Sequence, residues 1–291
     1  MQHIPILNIE QFEKEESLAD FYSNDLQQHL KKNAQIIHKP HKHDFFLCVL
    51  FCKGSGVHEI DFNTYPIRPG SVFFLKPGQT HFWNFDSTPE GYIFFHTPDF
   101  YELYFLNRKL SQFPFYYSLK NPPDLVLKSE ELASMAARFN EINIEYYNDS
   151  TYKKQKLITL VNLTYIDLTR HYANYEPIKK VLSSTYLQAL ERLESNIEKC
   201  YKTEKSAKFY ADKLHITPKH LNRITKVTLN KTTTELITER VLLEAKRLIV
   251  HSGNSLTEVA EKLGYEDYAY FSRVFKLKTG KTPLEFKKNY Q

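Results

Sequence analysis

The spacing of apolar residues changes twice along this chain. Between about residues 35 and 95, short apolar and aromatic blocks (DFFLCVLFC, GVHEIDF, SVFFLKPG, GYIFFHT) alternate with Gly, Pro and Asn. Blocks of that length bounded by turn formers predict strands, and their spacing predicts a small antiparallel β-sandwich or barrel. In ELASMAARFNEINIEYYND and KKQKLITLVNLTYIDLTRHY the apolar positions recur every three or four residues, as at Leu157, Leu160, Val161, Thr164 and Leu168. These segments are expected to be two amphipathic helices that follow the sheet. The period lapses in YEPIKKVLSS, residues 175–184, where a proline, a lysine pair and a serine pair suggest a linker. From Thr185 onward the pattern is helical.

Helix starts in this last region are explicit. Thr232, Ser255 and Thr282 each stand three residues before a glutamate, Glu235, Glu258 and Glu285, the spacing at which two side chains satisfy each other's backbone N–H. Pro283 follows at the first helical position, where a missing N–H is harmless.

A chain of 291 residues is long for a single core. The expected division is a first domain at 1–174, the linker, and an all-helical domain at 185–291. Charge follows that division. Residues 185–291 hold 20 Lys and Arg against 13 Asp and Glu, leaving 19 against 21 for the remainder. A basic domain joined to a near-neutral one points to a polyanionic partner on one side only. Cys48, Cys52 and Cys200 form no CxxC pair, which fits a reducing compartment. The first residues, MQHIPILNIEQFEKEE, lack a basic start before a long apolar run, and no later window resembles a membrane span. The expected location is the cytoplasm, with no membrane partner.

The helical region repeats itself. In YADKLHITPKHLNRITKVTLNKT, Ala211 and Leu214 match Ala260 and Leu263 of VAEKLGYEDYAYFSRVFKLKTGKT, while Arg223, Lys226, Lys231 and Thr232 match Arg273, Lys276, Lys281 and Thr282. Each copy reads as a short helix, a tight turn and a second helix: two helix-turn-helix motifs, at about 206–227 and 255–277. Ala260 is small because two helices cross there, and Gly264 suits a turn residue with positive φ. Phe271, Val274 and Phe275 fall on one face and are expected to be buried, with Tyr268, Ala269, Ser272 and Arg273 opposite. Arginine can hold guanine O6 and N7 together, and hydroxyl and amide groups reach base edges or phosphates. A solvated polar face is the alternative for either helix alone; the repetition within a basic domain favours base reading.

The segment LGYEDYAYFSRVFKLKTGKTPLEFK resembles the C-terminal signature of the AraC-type transcription regulators, and TERVLLEAKRLI resembles the helix that joins their two helix-turn-helix units. The resemblance implies sequence-specific binding to double-stranded DNA. It places Lys219, Asn222 and Arg223 on the first reading helix and Tyr268, Ala269, Ser272 and Arg273 on the second. Thr225 departs from a common phenylalanine, implying looser packing of the first unit, and Ala269 has no side chain that hydrogen-bonds a base.

HKPHKHDFFLCVLF and FNTYPIRPGSVFFLKPGQTHFW resemble the cupin-like barrel found before such DNA-binding domains, which implies a small-molecule effector. His41, His43, His81 and Trp83 are the expected pocket residues. Three imidazoles suit iron, copper, nickel or zinc, but the carboxylate of the cupin pattern is missing, with Leu47 and Cys48 in its window. The expectation is therefore histidines that line or support a pocket, without metal or other cofactor. Of Phe45, Phe46, Phe73, Phe74, Trp83, Phe94 and Phe95, at least half should simply pack. The helices at about 130–172 pack on their own barrel or, as the resemblance implies, form a homodimer. RNA polymerase is a further partner if the chain activates. Rival readings are a metal-dependent cupin enzyme with an accessory DNA-binding domain and an effector-independent DNA-binding protein.

Overall fold

A computed structural model describes residues 5–12, 18–37, 39–105, 110, 113–116, 122–175 and 184–289. They belong to two compact units, Pro5–Ile178 and Lys179–Gln291. Most of the expected linker, residues 176–183, lies outside the described residues.

The first unit is a β-sandwich covered by helices. In chain order it runs β1 (Ile6–Leu7), β2 (Phe21–Asp25), α1 (Leu26–Ile37), β3 (His41–His43), β4 (Phe46–Lys53), β5 (Gly56–Ile60), β6 (Asn63–Ile67), β7 (Ser71–Leu75), β8 (Thr80–Phe85), β9 (Glu90–His96), α2 (Pro98–Glu102), β10 (Asp124–Val126), α3 (Ser129–Tyr147) and α4 (Lys153–Tyr175). One sheet has the order β1-β3-β8-β5-β6 and the other β10-β7-β4-β9-β2. The second sheet is buried on both faces, which is why its strands read as unbroken apolar runs instead of alternating. Phe95 on β9 turns inward and stacks on Phe45 at 4.3 Å. Its neighbour Phe94 turns outward, 5.1 Å from Phe139 of α3 and 5.9 Å from Tyr165 of α4. The stripe Leu157, Leu160, Val161, Thr164 and Leu168 of α4 is buried throughout. Residues before 35 carry structure that their pattern did not signal: β2 pairs with β9 along the sheet edge, and α1 packs beside it, burying Leu26, His29, Asn33 and Ile37.

The second unit contains α5 (Ser184–Cys200), α6 (Ala207–Lys213), α7 (Pro218–Leu229), α8 (Thr233–His251), α9 (Leu256–Lys262), α10 (Tyr268–Thr279) and α11 (Pro283–Lys288). All three expected capping boxes form, at the starts of α8, α9 and α11. Gly264 has φ +71°, and a Cβ there would lie 2.0 Å from the Lys202 carbonyl oxygen, so only glycine fits. The equivalent turn residue of the first copy is His215, also left-handed at φ 56°.

Candidate nucleic-acid interface and buried histidine centre

The repeat places α7 and α10 as second helices of their motifs, and each is anchored through its apolar face. Phe271 and Phe275 are fully buried in one copy, Leu221 and Ile224 in the other. Val274 is only half-buried, a correction to the expected pattern. Thr225 stands where the second copy has Phe275 and is also fully buried, its hydroxyl donating to the Asn222 carbonyl at 3.1 Å. A hydrogen bond there takes the place of a ring.

With those faces inward, Lys219, Arg223, Ala269 and Arg273 are exposed, and Tyr268 and Ser272 half-exposed. Arg223 donates from Nη2 to His220 Nδ1 at 3.1 Å, which presents the guanidinium at the surface. Asn222 is different. Its side-chain oxygen accepts from the Thr233 backbone N–H at 3.1 Å, so it caps the start of α8 and is turned from the exposed face. The counterpart of Thr233 in the second copy is Pro283, which has no N–H to offer, so Ser272 has no such duty. Sequence reasoning missed Tyr270 and Val227, exposed at 54% and 65%, because periodicity assigns apolar residues to the core. Lys226 and Lys276, known only as repeat matches, extend the same basic surface.

In the first unit the four expected pocket residues share the inward face of one sheet. Alternation along β3 puts His41 and His43 on the same side, and the register sets His41 opposite His81. Trp83 follows two residues later on β8, its ring 4.8 Å from His81. A fourth histidine, missed in the sequence, joins them. His58 on β5 lies opposite Trp83, and its Nε2 is 2.8 Å from His81 Nδ1. Its signal was the inward position in GVHEI between buried Gly56 and Ile60, which becomes meaningful only when β5 is paired with β8. His43 Nε2 is 2.6 Å from His81 Nε2, and the His43 ring stacks on Phe45 at 4.6 Å. Burial holds all four imidazoles below their usual pKa, as charging them would leave cations in an apolar interior. Four polar atoms here, His43 Nδ1, His58 Nδ1, Thr80 Oγ1 and Trp83 Nε1, are buried with no hydrogen-bond partner. Buried polar groups are nearly always paired, so this concentration marks a place suited to a guest.

An interior lined with unpaired polar atoms and a basic unit that displays two matching helices define a ligand-responsive DNA-binding regulator. The family model for an AraC-like ligand binding domain matches residues 29–138, and that for a helix-turn-helix domain matches residues 210–289. The chain is 25% identical over 259 residues to the HTH-type transcriptional activator RhaR of Mannheimia succiniciproducens, covering 86% of this chain and 87% of the relative. It is 25% identical over 261 residues to the uncharacterized HTH-type transcriptional regulator YfiF of Bacillus subtilis, covering 86% and 79%. Among solved structures it is similar to ToxT from Vibrio cholerae, with 13% identity, a TM-score of 0.44, and coverage of 92% and 98%. The chain belongs to the AraC family of transcription regulators. Its matched domains bind ligand and DNA, and neither is catalytic. No helix among the described residues is long and apolar enough to cross a membrane.

Proposed function

We propose that α7 and α10 enter successive major grooves of double-stranded DNA, and that a small molecule held in the β-sandwich changes the affinity of that contact. Arg223 and Arg273 make base contacts; Lys219, Tyr268, Ala269 and Ser272 complete the two reading faces. Asn222 acts from behind, holding α7 to α8. The observation that carries the reading is the duplicated geometry: one exposed arginine at the same position of each second helix, above a buried apolar face. The interior histidines and Trp83 form the effector site. The chain acts in the cytoplasm as a homodimer, a reading supported by the exposed apolar side chains Ile144, Tyr147 and Leu163 on α3 and α4. Where it activates, RNA polymerase is the second macromolecular partner.

The test compares two substitutions on a site selected by the protein from random duplexes. Arg273→Ala removes a two-bond base contact and should cost about 1–3 kcal/mol on the selected site, with much less change on random duplex. Asn222→Ala should instead lower unfolding stability by about 1 kcal/mol through the lost cap and weaken both duplexes alike. Equal losses on the two duplexes for Arg273→Ala would reduce that residue to a phosphate contact.

A further inference from the structure

His41, His43 and His81 each bring one ring nitrogen within 4.8 Å of the others, and none of the three is more than 2% exposed. Their protons can be placed. A carbonyl oxygen only accepts, so His41 must donate from Nδ1 to the Lys39 oxygen at 2.8 Å, which leaves Nε2 a bare lone pair. His81 makes two contacts, Nδ1 to His58 and Nε2 to His43, but a neutral imidazole has one proton and donates into only one of them. When His81 donates to His58, its Nε2 is a lone pair that accepts from His43 Nε2 at 2.6 Å. Moving that His43 proton to Nδ1, which has no partner of its own, leaves lone pairs on the Nε2 atoms of all three rings.

We propose that His41, His43 and His81 bind one divalent transition-metal ion through their Nε2 atoms, with His58 supporting His81 by a hydrogen bond. This deepens the effector reading and depends on it only for the regulatory consequence. Three features favour a metal over a merely packed cluster. First, two of the three ring nitrogens on the far side from the ion are engaged as in metal centres, His41 Nδ1 by a carbonyl and His81 Nδ1 by His58, an arrangement that fixes both tautomer and ring orientation. Second, a structural histidine in this chain looks different. His96 is just as buried, yet both its nitrogens are matched, Nδ1 donating to the Thr97 oxygen and Nε2 accepting from Tyr165, each at 2.8 Å. The histidine centre instead keeps unpaired nitrogens on His43 and His58. Third, with the His43 proton on Nδ1 the three Nε2 lone pairs converge and repel one another, and a cation satisfies them together. The donor set is all imidazole, which suits zinc, copper, nickel or iron in the divalent state. Three protein ligands leave a coordination position open. A dication among neutral ligands in an apolar interior also calls for an anion, so the open position takes a small anionic group or hydroxide.

The experiment uses the full chain with Co(II) as a spectroscopic probe and Zn(II) as its competitor. Metal analysis after dialysis should give one Co(II) per chain, with visible d–d absorption that Zn(II) abolishes. His96→Gln, a buried control, should bind as the unaltered chain does. His58→Gln should keep the stoichiometry and raise the dissociation constant 10- to 100-fold, as loss of such support does. The combined His41→Gln, His43→Gln, His81→Gln variant should bind no Co(II) while circular dichroism shows it folded. Substoichiometric Co(II) on the unaltered chain, or a full equivalent on the folded triple variant, overturns the proposal. Should the triple variant not fold, His58→Gln decides: an affinity equal to that of the unaltered chain overturns it. Operator affinity with and without Zn(II) separates the two readings. A stoichiometric site with unchanged operator affinity supports the metal centre and removes its regulatory role.

Discussion

At the scale of single residues, the clearest lesson is that a polar side chain on a reading helix can face two ways. Asn222 and Ser272 occupy the same position of the two motifs, yet Asn222 is committed to Thr233, whose counterpart in the second copy is Pro283, with no N–H to offer. The difference lies in residue 233 against residue 283 as well as in Asn222 against Ser272. His96 shows the same dependence on partners in a titratable group. It accepts from Tyr165, which lies 2.9 Å from Tyr116, so the network requires a neutral imidazole. Burial pushes its pKa down from 6.5 to about 4. Between those values the unfolded chain takes up a proton that the folded chain refuses. Stability is therefore intact above pH 6.5 and declines as pH falls toward 4. The share of this one group is about 3 kcal/mol by pH 4. His29, lowered to about 3, acts in the same direction. His96→Gln removes one such group, so urea midpoints measured from pH 7 to pH 4 should fall less steeply than those of the unaltered chain. Parallel curves would show that His96 is protonated in the fold.

At the scale of elements, α8 sets the distance between the two motifs. It starts on the Thr232–Glu235 capping box, contains neither proline nor glycine, and runs 19 residues, so its length is about 28 Å. It is also held from the side: Arg240 lies 4.0 Å from the Tyr201 ring centroid and 2.7 Å from Glu198. A helix so anchored should not bend, and two reading helices on one face of DNA should then be spaced by about one turn, 10–10.5 base pairs. Inserting five base pairs between the two contacted segments rotates one to the opposite face, and affinity in a gel shift at fixed salt should drop to that of one motif. Unchanged affinity would mean that one motif alone binds. These helical elements were legible because their signals are local: caps, a repeat, and apolar residues three and four apart. The strands of the buried sheet were legible as strands, since turn residues bounded them. What escaped was everything set by pairing. β2 belongs to the sheet because it bonds to β9, more than sixty positions away, and His58 joins the centre because β5 lies beside β8. No periodicity within either segment carries that information. His41, His43, His81 and Trp83 were found because resemblance supplied them; their common face was then set by the register of β3 and β8.

At the scale of the whole chain, the partition of charge and the partition of packing agree. The excess of basic side chains falls in residues 185–291, and the second compact unit spans Lys179–Gln291. Its core is assembled from its own helices. Leu190, Leu193 and Ile197 of α5 are buried, so the helix that begins this unit contributes to its core. Tyr210 and Ala211 of α6, Leu221 of α7, and Leu236, Val241, Ala245 and Ile249 of α8 are buried as well, as are Val259, Phe271 and Phe275 in the second copy. A fragment of residues 184–291 therefore retains a core and the capping boxes of α8, α9 and α11, and it should fold without the sandwich. Circular dichroism should show a helical spectrum with a single cooperative thermal transition. The fragment should also bind the selected duplex with nearly the salt dependence of the full chain, because the proposed DNA contacts all lie within it. What it should lose is any response to an added effector or metal ion, as the histidine centre is not part of it. A fragment that stays unfolded would place essential core contacts in the first unit. A fragment that folds but binds with a much shallower salt slope would place some of the DNA contacts there instead.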